Sequence, residues 1–102
     1  MTPPSPPPLV AAFSRLREAL GNANVDAYRA LLVGDAAPQD ALFLRNARNL
    51  KDGGLTLVLR GATEEGGVAT VGFDVVDAAG TVKDRGQVVY TLETDGWRLR
   101  QL

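Results

Sequence analysis

The chain contains no cysteine and no histidine. The first absence excludes disulfides and thiolate chemistry. The second removes the commonest general base and the commonest metal ligand together. A Ser-His-Asp triad, a zinc site and a facial iron triad cannot be built within one such chain, so no metal and no cofactor is expected. Charge of one sign is not in excess either: 11 Lys and Arg stand against 12 Asp and Glu, for a net charge of −1. That balance gives no electrostatic case for nucleic acid or for an anionic membrane as partner. No stretch approaches the ~20 apolar residues of a membrane span. The beginning, Met1-Thr2-Pro3-Pro4, lacks the basic and apolar regions of a signal peptide. The expected location is cytoplasmic.

What is present is ordinary globular composition, 45% hydrophobic and 23% charged, in 102 residues. This length favours one domain that buries roughly 60–70% of the surface its unfolded chain exposes. Nine of the eleven basic residues are Arg. With abundant Ala, Gly, Val and Leu, this is the usage of a bacterium with a GC-rich genome, a compositional association without physical warrant.

Residues 1–8 read as a proline-rich tail, extended or polyproline II, because successive prolines fix φ and withhold helix donors. It is either a docking peptide for a proline-reading partner or a disordered leader to the first helix. Residues 9–102 read as the domain. Leu9, Phe13, Leu16 and Leu20 recur at helical spacing, and Gly21 supplies a stop. Asn24 suits the cap of a second helix with Val25, Tyr28, Leu31 and Leu32 as its stripe, ended by Gly34. Pro38 suits the first turn of a third, with Asp40 nearby, Phe43, Ala47 and Leu50 buried, and Lys51 in the last turn.

From Leu55 the period changes from 3.6 to 2. Turns are expected at Glu64–Gly67, Asp77–Gly80 and Asp95–Gly96, which joins four strands as an antiparallel meander. The fold class is α+β: about three N-terminal helices on a curved four-stranded sheet. One sheet face carries Leu55, Leu57, Leu59, Ala69, Val71, Phe73, Val75, Val88, Tyr90, Leu92, Trp97 and Leu99 and must lie under the helices. The other carries Thr56, Val58, Arg60, Thr70, Gly72, Asp74, Val76, Val89, Thr91, Arg98 and Arg100. It is either a solvent face rich in β-branched residues or a flat self-association surface.

The segments Phe13-x-x-Leu16-x-x-Ala19-Leu20, Asn24-Val25-Asp26-Ala27-Tyr28 and Tyr90-Thr91-Leu92-Glu93-Thr94-Asp95-Gly96-Trp97-Arg98-Leu99 resemble the nuclear-transport-factor-2-like superfamily. The resemblance covers roughly residues 9–102. It implies a cone-shaped α+β domain of the SnoaL and ketosteroid-isomerase type. It also implies homodimers paired through the sheet and a small apolar ligand between helices and concave face. Some members are isomerases, cyclases or dehydratases. The chain departs from the family in being short, without the strand pair that usually precedes the main sheet, and in lacking the histidine some dehydratases use. A smaller cone and pocket are expected.

An isomerase on an apolar carbonyl compound needs a carboxylate base in an apolar pocket and a group that holds an oxyanion. Asp77 and Asp84 are loosely in phase with the inner face but lie beside turns, and Asp74 is in phase with the outer one. No family catalytic position transfers to this chain. Arg60, Arg98 and Arg100 are expected to pair across strands with Asp74 and Glu93. Glu64, Glu65 and Asp77 have no calcium-loop spacing, and the pairs Gly53-Gly54 and Gly66-Gly67 read as turns. The expected function is therefore a non-catalytic domain acting through homodimerisation and small-ligand or partner binding, with a small isomerase or cyclase as the alternative. Candidate pocket residues are Phe13, Tyr28, Phe43, Phe73, Tyr90 and Trp97. Candidate dimer-face residues are Val58, Thr70, Gly72, Val76, Val89 and Thr91.

Overall fold

The structure, a computed structural model, describes residues 7–101. Three helices precede four strands: α1 (Pro7–Gly21), α2 (Val25–Leu31), α3 (Asp40–Gly53), β1 (Thr56–Glu65), β2 (Val68–Val76), β3 (Val82–Glu93) and β4 (Gly96–Gln101). The fold is α+β. The sheet is an open antiparallel meander in the order β1-β2-β3-β4. The proline-rich tail falls mostly on residues 1–6, outside the described residues. Its last two prolines belong instead to the first turn of α1, where a missing N–H is harmless.

Helix α1 buries Leu9, Ala12, Phe13, Leu16, Ala19 and Leu20, a stripe of three- and four-residue steps. Asn24 caps α2 by accepting from the Ala27 amide at 3.1 Å. The helix stops at Leu31 rather than near Gly34 because the chain is captured by the sheet. Leu32 is extended and bridges Leu99, and the Val33 amide donates to the Leu99 carbonyl at 2.9 Å. This contact also covers part of the β4 edge. Pro38 lies before the N-cap of α3, Gln39, and not in its first turn. The α3 C-terminus is a Schellman turn. Gly54 sits in the left-handed region at φ 61° and donates to Lys51, while the Leu55 amide reaches back to Leu50 at 2.8 Å.

The β1–β2 connection is shorter than expected. Glu64 and Glu65 pair with Ala69 and Val68, which leaves Gly66-Gly67 alone at the turn. Both glycines have positive φ, 59° and 79°, as a tight hairpin turn with the twist of its strands requires. Asp77 holds the next turn, its carboxylate accepting from the Ala79 and Thr81 amides at 2.9 Å each.

Each strand pair carries one register shift: after Leu59 in β1–β2, between Val75 and Val76 in β2–β3, and between Val89 and Tyr90 in β3–β4. An extra residue on one strand bends it and increases local twist, so these irregularities curve the sheet around the helices. The core joins the α1 stripe to Tyr28, Phe43, Ala47, Leu57, Ala69, Val71, Val88, Tyr90 and Leu99. Leu92 departs from the expected inner-face set, being 49% exposed.

Candidate functional site

A cavity of ≈ 280 Å³ opens between the C-terminal half of α1, the outer part of α3 and the concave sheet face. Its apolar wall is Leu16 and Leu20 from α1, Leu50 from α3, Leu55 and Leu57 around the start of β1, and Phe73, Val75 and Val88 from the sheet. Asn46 and Asn49 of α3 and Asp84 and Arg85 of β3 are its polar lining residues. A smaller recess of ≈ 190 Å³ shares Leu20, Leu50, Leu55 and Leu57 and adds Arg17 and Lys51.

Phe73 is seated by two neighbours. Phe13 backs it with ring centroids 5.9 Å apart. Across the ladder stands Gly86, where an added Cβ would lie 2.6 Å from the ring. The ring occupies the space a side chain at position 86 would take, so Gly86 shapes the cavity wall by having none.

Of the six candidate pocket residues, only Phe73 lines this cavity. Phe13, Tyr28, Phe43 and Tyr90 are buried in the packed core. Tyr28 stacks on Phe43 at 4.5 Å, and its hydroxyl accepts the Gln39 amide at 3.0 Å, tying α2 to the start of α3. The Tyr90 hydroxyl is buried without a hydrogen-bond partner, and burial pushes its pKa up. Trp97 is half-buried and lines a separate groove with Pro8, Ala12 and Arg15.

The carboxylates also sort themselves. Asp84 is on the cavity wall but exposed, one oxygen accepting the Arg85 amide at 2.8 Å. Asp77 belongs to its turn. Hydrogen bonds from the Thr81 and Ala79 amides, with Lys83 at 3.7 Å, hold its pKa below the usual carboxylate range. Asp74 lies on the convex face between Arg60 at 3.8 Å and Arg85 at 3.4 Å. The pairing expected for Glu93 goes elsewhere: Arg98 pairs with Asp95, and Arg100 donates to the Thr91 hydroxyl at 2.7 Å. Among the described residues no polar or charged residue is buried, and no three Asp or Glu cluster as metal ligands would. No helix among them is long and apolar enough to cross a membrane.

The candidate dimer-face residues share the convex side of the sheet. Thr70 pairs with Val89, and Val58 and Gly72 flank the Asp74 ion pairs. Val58 is 44% exposed, and Thr70, Gly72, Val76, Val89 and Thr91 are half-buried. The polar wall residues Asn46 and Asn49 were hidden from sequence reasoning. Their spacing of three beside Leu50 was the available signal, but it placed them equally well on a solvated face.

No protein-family model matches the chain, and no curated protein matches it in sequence. Solved structures do. A candidate isomerase of the SnoaL-like family from Agrobacterium tumefaciens superposes with a TM-score of 0.64 at 12% identity, covering 91% of this chain and 92% of the other. A candidate ketosteroid isomerase from Shewanella frigidimarina gives 0.60 at 19% identity over 88% of each. A de novo designed protein with a curved β-sheet gives 0.57 at 11% identity, over 90% of this chain and 93% of that one. A designed protein among these neighbours underlines that the likeness is one of architecture, since function resides in sites and not in folds. Helices leading into a bulged, curved meander over an apolar cavity give this chain the nuclear-transport-factor-2-like fold.

Proposed function

We propose that this chain is a non-catalytic binding domain that holds a small, uncharged apolar ligand in the cavity between α1, α3 and the concave sheet, and that it works as a homodimer paired through the convex face. The observation that carries the reading is the cavity itself: an apolar wall with a few polar groups at its mouth, the usual make-up of a small-molecule site. Against catalysis stands the exposure of Asp84, the one carboxylate on the wall. An isomerase base works from a desolvated position that raises its pKa.

At roughly 30 Å³ per heavy atom, the volume suits a compound of about nine non-hydrogen atoms. The test is a titration with 4-ethylcyclohexanone followed by amide NMR shifts. Saturable shifts at Leu57, Val75 and Val88 are expected, and Asn46→Trp, which fills the mouth, should abolish them. Absence of saturable shifts in the unmodified chain overturns the reading.

The second reading, a small isomerase or cyclase on an apolar carbonyl compound, draws support from the position of Asp84 on that wall. The same ketone separates the two. Protein-dependent exchange of its α-protons in heavy water, lost in Asp84→Asn, would favour the enzyme. Exchange at the rate of buffer alone favours the binding domain.

A further inference from the structure

Gly86 lies inside β3, where a glycine weakens a strand and often marks a close approach by another group. Its backbone does not call for glycine. It is absent from the glycines with positive φ, so its conformation is open to any residue. What excludes a side chain is Phe73. The two face each other across the β2–β3 ladder, and directly opposed residues present their side chains to the same face. A Cβ at position 86 would meet three atoms of the ring, Cζ at 2.6 Å, Cε2 at 3.0 Å and Cε1 at 3.2 Å. Ordinary carbon contacts are about 3.5–4.0 Å, so the ring tip would have to move by about 1 Å. These nearest atoms all belong to the far end of one side chain, which can turn aside without the strands moving.

The surroundings of the ring decide where it would go. Phe13, almost wholly buried, backs it with ring centroids 5.9 Å apart and closes the way towards the packed part of α1. The sheet lies beneath it. The free volume beside it is the ≈ 280 Å³ cavity, whose wall includes Phe73, Gly86, Val75 and Val88. A ring lifted off residue 86 therefore enters the cavity.

We infer that Phe73 and Gly86 together set the size of ligand that the cavity admits. The ring is the movable wall, and Gly86 is the seat that holds it back. This role rests on the ligand cavity proposed above: Phe73 touches the ligand there, and Gly86 acts through Phe73 as a positioning residue. Leucine at position 73 lacks the Cε and Cζ atoms, so it removes both the wall and the clash. The effects of Phe73→Leu and Gly86→Ala are therefore opposite and coupled.

A double-mutant cycle tests the pair, with affinities taken from amide NMR titrations of 4-ethylcyclohexanone and the longer 4-butylcyclohexanone. The unmodified chain should prefer the ethyl compound. Phe73→Leu should bind the butyl compound more tightly than the unmodified chain does, by about tenfold or more. Gly86→Ala should lose affinity for the ethyl compound by a similar factor at unchanged far-UV circular dichroism. Adding Phe73→Leu to Gly86→Ala should restore it, a non-additivity that a merely structural role for Gly86 would not produce. Undiminished binding by Gly86→Ala, a loss that Phe73→Leu does not restore, or an unchanged preference in Phe73→Leu overturns the inference and leaves the ligand cavity standing. No saturable shift from either ketone in the unmodified chain overturns the cavity and this role with it. One measurement needs no variant. The unmodified chain should give a nuclear Overhauser contact between the Phe73 Hζ and Gly86 Hα protons, and its absence overturns the seat.

Discussion

Tyr28 and Tyr90 are both almost wholly removed from solvent, yet only Tyr28 has a partner for its hydroxyl. A buried polar group without a partner carries its desolvation penalty uncompensated, whereas a satisfied one contributes modestly. Opposite effects on stability follow from the same substitution. Tyr28→Phe leaves the Gln39 amide without its acceptor and should destabilise by about 1 kcal/mol. Tyr90→Phe removes an unpaired oxygen and should be neutral or stabilise by up to about 1 kcal/mol. Urea unfolding midpoints at constant m-value decide between them, and a clear loss for Tyr90→Phe would show that its hydroxyl is hydrogen-bonded in solution. Sequence periodicity was enough to put both rings inside. It was not enough to sort pocket from core, because that depends on partners distant along the chain. Gln39 is eleven residues from Tyr28, and Gly86 faces Phe73 only through the β2–β3 register.

Period and turn chemistry made every helix and strand visible in advance, because α1 buries a clean stripe and the strands alternate between Gly-containing turns. Two features at this scale were not visible. One is where α2 ends, since the Leu99 carbonyl that captures Val33 lies 66 residues away in sequence (99 minus 33). The other is the set of bulges. An extra residue such as Arg60 has no propensity signature, yet it puts Ala62 opposite Val71 on the inner face and curves the sheet enough to enclose a cavity. The curved sheet's convex side is the face proposed for dimerisation. Val89 is near its middle, paired with Thr70, with Thr91 two residues on along the same face. A lysine there places a charge where two copies would meet, and desolvating it unpaired is unfavourable. Val89→Lys should convert a dimer to a monomer in sedimentation velocity with its circular dichroism unchanged. Persistence of the dimer would assign the interface to another surface.

Across the whole molecule, the lowered carboxylates are found where elements meet. Asp40, held down chiefly by its hydrogen bond from Arg29, joins α3 to α2. Asp77, held down by the Thr81 amide first, fixes the β2–β3 turn, and Asp95, held down by Arg98, fixes the β3–β4 hairpin. A carboxyl whose pKa is lower in the folded chain stabilises it above the unfolded value of about 4, and that contribution disappears as pH falls through the folded value. Tyr90 acts at the other end. Its raised pKa favours the folded chain below the unfolded phenol value of about 10, and the contribution is lost as pH rises beyond it. Between these arms the chain has no histidine to titrate. The melting temperature should therefore be level from about pH 5 to 9 and fall on both sides. The two arms differ in kind. The three carboxyls are surface groups, so their arm should shrink in high salt, while the alkaline arm, set by burial of one phenol, should not. Replacing Asp40, Asp77 and Asp95 together by Asn should flatten the acid arm and leave the alkaline arm in place. If acid sensitivity survives that replacement undiminished, the joints between elements are not what acid loosens.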